Sequence, residues 1–148
     1  MLEDYRSLGQ SGWLPNLLCI CADARIRAGD PARALELLGE ALEMSERTKQ
    51  GLFRPEMLRL QADSSVALGQ MEAPAARAQL EAAIALAREQ SAASLEFRAI
   101  CSLARLLEKN GERPKARELV LAGYALFNEG YDTRDLREGK LLLEKLSR

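Results

Sequence analysis

The stretch Gly29-Asp30-Pro31-Ala32-Arg33-Ala34-Leu35-Glu36-Leu37-Leu38-Gly39-Glu40-Ala41-Leu42 decides the reading of this chain, because the rest of the sequence echoes it. Gly29 recurs at Gly69 and Gly111, Ala34 at Ala76 and Ala116, Leu38 at Leu80 and Val120, and Ala41 at Ala83 and Gly123. Small Ala22, Ala62 and Ala104 stand seven residues before the three glycines. The upstream marks step by 40 then 42 residues and the downstream ones by 42 then 40, so two extra residues fall between Gly69 and Ala76. Self-similarity at this period is the signature of a stacked array.

The composition suits such an array. With 148 residues the chain fits one domain, and a domain of that size buries roughly 70% of the surface its unfolded chain exposes. Hydrophobic residues make up 47% but aromatic ones only 5%, so Ala and Leu on closely approaching helices must fill the interior. Twenty-one basic against 22 acidic residues leave a net charge of -1, without the basic field that nucleic-acid binding needs. Cys19, Cys21 and Cys101 are an odd set with no disulfide framework, which points to a reduced, cytoplasmic setting. Met1 to Arg6 carry no basic leader, and the uncharged run from Ser7 to Ala22 is broken by Gly12, Pro15 and Asn16. Neither a signal peptide nor a membrane span is expected.

In chain order, residues 1–11 lack periodicity and read as a tail or the remnant of something upstream. Helical spacing at Leu14, Leu17, Leu18 and Cys21 runs to the stop at Gly29. Asp30-Pro31 then supplies an N-cap and a proline at the first helical position, opening a partner helix to about Arg47. So short a turn makes the two antiparallel. A second pair spans about 52–91, turning at Gly69, and a third about 93–127, turning at Gly111. Beyond Gly130, Asp132 or Thr133 is placed to cap a last helix over about 133–147, with Leu136, Leu142, Leu143 and Leu146 on one face and Arg137, Glu138, Lys140, Glu144 and Lys145 on the other. Arrays need such a terminal lid with one wet side.

The first helix has no matching lid. Leu14, Leu18 and Cys21 point towards its own partner, while Trp13, Leu17, Ile20 and Ala24 point roughly 100° away. Comparable positions in the third pair, Ala99, Ser102 and Leu106, are ones a neighbouring hairpin would cover. Another body is therefore expected on Trp13, Leu17, Ile20 and Ala24: an upstream repeat of a longer parent, or a second copy of the chain. Alternatively, residues 1–11 fold back over this face.

Small residues at Ala22, Ala34 and Ala41 with Leu18 and Leu38 between them resemble the tetratricopeptide repeat, although the spacing exceeds that family's usual length of about 34 residues. Gly12-Trp13-Leu14-Pro15, the Arg27-Ala28-Gly29 turn, Ser102 to Leu107 and Phe127-Asn128-Glu129-Gly130-Tyr131-Asp132-Thr133 further resemble the C-terminal repeat region of bacterial multidomain signalling proteins. In those, an adenylate/guanylate cyclase or winged-helix DNA-binding domain precedes a STAND-type ATPase and a helical array. The resemblance implies an all-α, tetratricopeptide-like α-solenoid of three antiparallel hairpins plus a C-terminal capping helix, filling 12–148. It implies a non-catalytic protein-interaction module at the sensing or docking end of a signal-transduction or transcription-regulating ATPase. A free-standing scaffold that homodimerises through its first helix is the alternative. Arg25, where the repeat usually has an apolar residue, and Gln61 and Ser65 in the middle pair depart from the pattern.

No chemistry of its own is expected from the chain. It lacks histidine, and it lacks the G-x-x-x-x-G-K-[ST] run that cradles phosphate. Cys19 and Cys21, two apart on a helix, point about 200° from each other and cannot grip one metal ion. No cofactor is implied. The resemblance places partner-binding residues on the first helix of each hairpin: Asn16, Cys19, Asp23 and Ile26, then Glu56, Arg59 and Asp63, then Arg98, Cys101, Arg105 and Glu108. A protein or peptide guest of complementary polarity fits that groove; alternatively, these are ordinary solvated charges. Relatives that clamp a terminal carboxylate use Lys and Asn where this chain has Cys19 and Asp23, which argues against that guest.

Replacing Ala34 or Ala104 with Leu is expected to overpack a helix crossing and cost about 1–3 kcal/mol in denaturant titrations, while Arg113→Leu is expected to be near neutral. Unchanged stability on Ala34→Leu and Ala104→Leu would contradict the register.

Overall fold

A computed structural model describes residues 12–148, and the expectations for residues 1–11 lie outside them. The described residues form seven α-helices and no strand: α1 Leu14–Arg27, α2 Pro31–Thr48, α3 Arg54–Ala67, α4 Ala73–Glu89, α5 Ala93–Lys109, α6 Arg113–Tyr124 and α7 Arg134–Leu146. They fall into two compact units, Met1–Glu72 and Ala73–Arg148. The pair expected over 52–91 straddles that division. In the first unit α3 packs on α2 and α1, and in the second α4 packs on α5.

The repeated glycines have a common physical cause. Gly29, Gly69 and Gly111 all adopt left-handed φ, at 80°, 67° and 81°. Each closes a helix with the same pair of bonds. At the first turn Asp30 N–H donates to Arg25 C=O at 2.9 Å and Gly29 N–H to Ile26 C=O at 3.0 Å, and the other two turns repeat the pattern. These are Schellman endings, which satisfy orphan carbonyls and need a residue without a Cβ penalty. Lys49 and Ser91 make the equivalent bonds at φ of 54° and 55° without being glycine, so nothing in the sequence flags them.

In the first unit, Asp30 caps α2 as its sequence suggests, its carboxylate accepting from Arg33 N–H at 3.1 Å ahead of Pro31. Leu14, Leu18, Cys19 and Ala22 of α1 share one core with Ala34, Leu37, Leu38 and Ala41 of α2 and with Met57 and Leu60 of α3. Ala22, Ala34 and Ala41 are wholly buried. Side chains this small let helix axes close to the lower end of the usual range of about 8–10 Å.

In the second unit α5 is buried on most of its circumference, with α4, α6 and α7 against it. Phe97 is the centre. Its ring meets Tyr124 edge-on at 6.1 Å and Phe127 at 5.5 Å. α6 ends at Tyr124, three residues short of the expected limit, and Phe127 turns onto Phe97 from the loop that follows. α7 reaches the same ring through a notch: a Cβ built on Gly139 would lie 2.7 Å from Phe97 Cε1 and closer still to Cζ.

Salt bridges mark the course of α7. Arg98 donates to Asp135 at 2.8 Å near one end, and Lys145 to Glu108 at 2.9 Å near the other. Both pairs are separated by 37 residues, so α7 runs parallel to α5 and in a single register. Two details correct the sequence reading. Thr133 is the N-cap residue but its hydroxyl makes no cap bond. Arg113 is not a neutral position: its guanidinium donates to Leu146 C=O at 3.2 Å and also to Lys145 C=O, holding the last carbonyls of α7.

Two glycines within helices should respond oppositely to alanine. Gly39 in α2 has open space where a Cβ would go, so Gly39→Ala should stabilise by about 0.5–1 kcal/mol through backbone entropy. Gly139→Ala has the same entropic gain but drives a methyl into the buried Phe97 ring, and should cost about 1–3 kcal/mol net. Urea titration of the two variants decides; two stabilising substitutions would contradict the α5–α7 packing.

Candidate interaction surfaces

Two surfaces come from the sequence, and the structure treats them differently. The first is the apolar stripe of α1. It begins at Trp13, the residue capping the helix, which is 73% exposed; Ile20 is 58% exposed. Ala24 is exposed and Leu17 half-buried. Interleaved with them but turned about a quarter to a half of the way round the helix, Leu14, Leu18 and Ala22 are buried. The helix therefore presents a sharp boundary between a closed face and an open one.

At the far end of the stripe, α1 and α2 leave a cavity of about 190 Å³ lined by Cys21, Ala24, Arg25, Arg33 and Leu37. Its lining is mostly apolar. Arg33 is engaged with Glu36 through an ion pair one helical turn on. Arg25, also in the lining, is exposed. Cys21 is half-buried, Cys19 and Cys101 are buried, and none of the three is in a disulfide.

The second surface, the polar groove, is largely spoken for within the chain. In the first unit Asn16, Cys19 and Glu56 are buried and Ile26 is half-buried. The Asn16 amide oxygen is buried with no hydrogen-bond partner among the described residues. Arg59, its side chain only 14% exposed, forms a fork with Glu56 at 2.8 and 2.9 Å and reaches Asp63 at 3.1 Å. Burial alone would drag the Arg59 guanidinium's pKa down. The Glu56 hydrogen bond and the charges of Glu56, Asp63 and Asp23 outweigh it and hold the group above the ordinary arginine range. Asp23 is also bonded to Arg27, at 2.9 and 2.5 Å.

In the second unit Arg98 and Glu108 are the residues that α7 bridges, and Cys101 is buried. Arg105 alone of that set is exposed. Six of the residues assigned to a partner, Asp23, Glu56, Arg59, Asp63, Arg98 and Glu108, thus make ion pairs within the chain. The partners of Arg98 and Glu108 lie 37 residues along the chain, where helical spacing gives no hint of them. Among the described residues no cluster of three or more Cys, Asp or Glu side chains is arranged to hold a metal ion. No described helix is long and apolar enough to cross a membrane. The chain matches no family model and no curated protein.

The Arg59 fork has a measurable signature. Arg59→Leu removes the bidentate partner of a carboxylate that is only 5% exposed, and should cost about 3 kcal/mol. Adding Glu56→Gln to Arg59→Leu should recover most of it. Arg27→Leu, which breaks an exposed pair, should cost under about 1 kcal/mol. Equal losses for Arg59→Leu and Arg27→Leu in denaturant titrations would contradict the buried fork.

Proposed function

We propose that the chain is a non-catalytic protein–protein interaction module, a tetratricopeptide-like α-solenoid of three antiparallel hairpins in a right-handed stack with a capping helix. We further propose that it serves as the C-terminal sensing or docking part of a bacterial signal-transduction or transcription-regulating ATPase. The observation that carries the interaction role is the exposed stripe on α1. An indole and an isoleucine held in the open, on a helix packed on its other side, form a patch of the kind that marks protein contacts.

Three features support the repeat architecture. The Schellman endings at Gly29, Gly69 and Gly111 give three turns of one design. The wholly buried Ala22, Ala62 and Ala104 recur in step with them. The parallel, in-register course of α5 and α7 is the relation that first helices of successive repeats have in a stack. The link to a signalling ATPase rests on the sequence resemblance alone.

Immunoprecipitation of the native protein from cells that express it tests both parts. The parent-protein reading predicts a polypeptide well above the 16.4 kDa of this chain, and a product of that mass would overturn it. The interaction reading predicts that Ile20→Asp removes a co-purifying polypeptide, a second copy included. Co-purification unchanged by Ile20→Asp would overturn that reading.

A further inference from the structure

We propose that the α1 stripe is a self-association surface whose occupant is α1 of a second copy, laid antiparallel across it about a two-fold axis. The proposal names the partner of the surface just described and rests on that surface being an interaction face.

The spacing of the stripe favours this occupant. Trp13, Leu17, Ile20 and Ala24 are separated by four, three and four residues, so the set reads the same in both directions along the helix. Antiparallel pairing of two such helices sets Trp13 opposite Ala24 of the second copy, Leu17 opposite Ile20, and both contacts again by symmetry. A two-fold interface requires this self-complementarity, residue i meeting j while j meets i.

Shape and charge favour it independently. The outermost positions of the stripe differ in size: at one end the indole of Trp13 stands 73% exposed, and at the other lies the single methyl of Ala24, beside the cavity of about 190 Å³. Pairing Trp13 with Ala24 brings the indole to a hollow lined by Cys21, Ala24 and Leu37. Arg25 and Arg33 complete the lining, Arg33 being paired with Glu36, and an arginine against an indole face is a favoured cation–π pair. Trp13 and Ala24, which borders the hollow, are 11 residues apart, or about 16 Å along the axis of α1. A two-fold dimer therefore fills both hollows with both indoles. An upstream helix of a parent chain would need to bring its own knob and would leave Trp13 without a seat.

The test uses the whole 148-residue chain. Sedimentation equilibrium should show a monomer–dimer equilibrium with no larger species. Trp13→Lys and Ala24→Glu alter exposed positions, and circular dichroism should confirm that both variants fold. Each alone should weaken the dimer by about tenfold or more, equivalent to about 1.4 kcal/mol. An equimolar mixture of the two should recover association. In the mixed dimer one contact is the native Trp13 on Ala24, and the other sets the introduced lysine of one copy against the introduced glutamate of its partner.

A wild-type chain that stays monomeric at the highest concentrations, growth beyond a dimer, or a mixture no tighter than its components would each overturn the proposal. A monomeric chain whose native form still loses a different co-purifying protein on Ile20→Asp would leave the interaction reading standing and remove only the second copy as its partner.

Discussion

Both units depend on helices that approach closely enough for alanine and glycine to be core residues. With aromatic residues at 5% of the chain, little bulk exists to fill wide spaces between helices. Ala22, Ala34 and Ala41 in the first unit and Ala76, Ala83, Ala99, Ala104 and Ala116 in the second are wholly buried. The second unit adds a single aromatic centre, Phe97, and adapts to it with glycines: a Cβ on Gly123 would lie 3.0 Å from Phe97 Cδ2, and one on Gly139 2.7 Å from Phe97 Cε1. Three of the connections are only three residues long, after Arg27, Glu89 and Lys109, and residues in the left-handed conformation make turns that short possible.

Much of the polar chemistry that resembles a recognition surface serves this packing. Arg59 satisfies the buried Glu56, and Arg98, Glu108 and Arg113 hold α7 in place. A carboxylate as buried as Glu56 would be costly without its fork. The open α1 stripe is different in kind. Trp13 and Ile20 contribute little to the core, yet they are arranged on one side of a helix whose opposite side is packed.

The local features of the fold are legible in the sequence. The glycine stops, the Asp30-Pro31 cap and the buried alanines follow from rules that act over a few residues, and periodicity carries them. The division at Glu72 is not legible, because residues 52–91 show the same hairpin pattern as the other pairs. Gly139 escapes notice because a glycine inside a helix pattern signals weak propensity rather than a notch for a ring contributed from 42 residues earlier. Arg113 looks neutral for a similar reason: its partners are carbonyls at the far end of α7. Of the candidate site, the stripe is readable as an uncovered face, whereas the cavity beside it depends on how α1 and α2 cross.

The central claim is that the open side of α1 is built to be covered. Trp13 is the only tryptophan in the chain, so acrylamide quenching of its emission across a concentration series reads that face directly. The account predicts an indole fully accessible in dilute solution and progressively shielded as concentration rises, with Ala24→Glu remaining accessible throughout. An indole equally accessible at every concentration in the wild-type chain would contradict it.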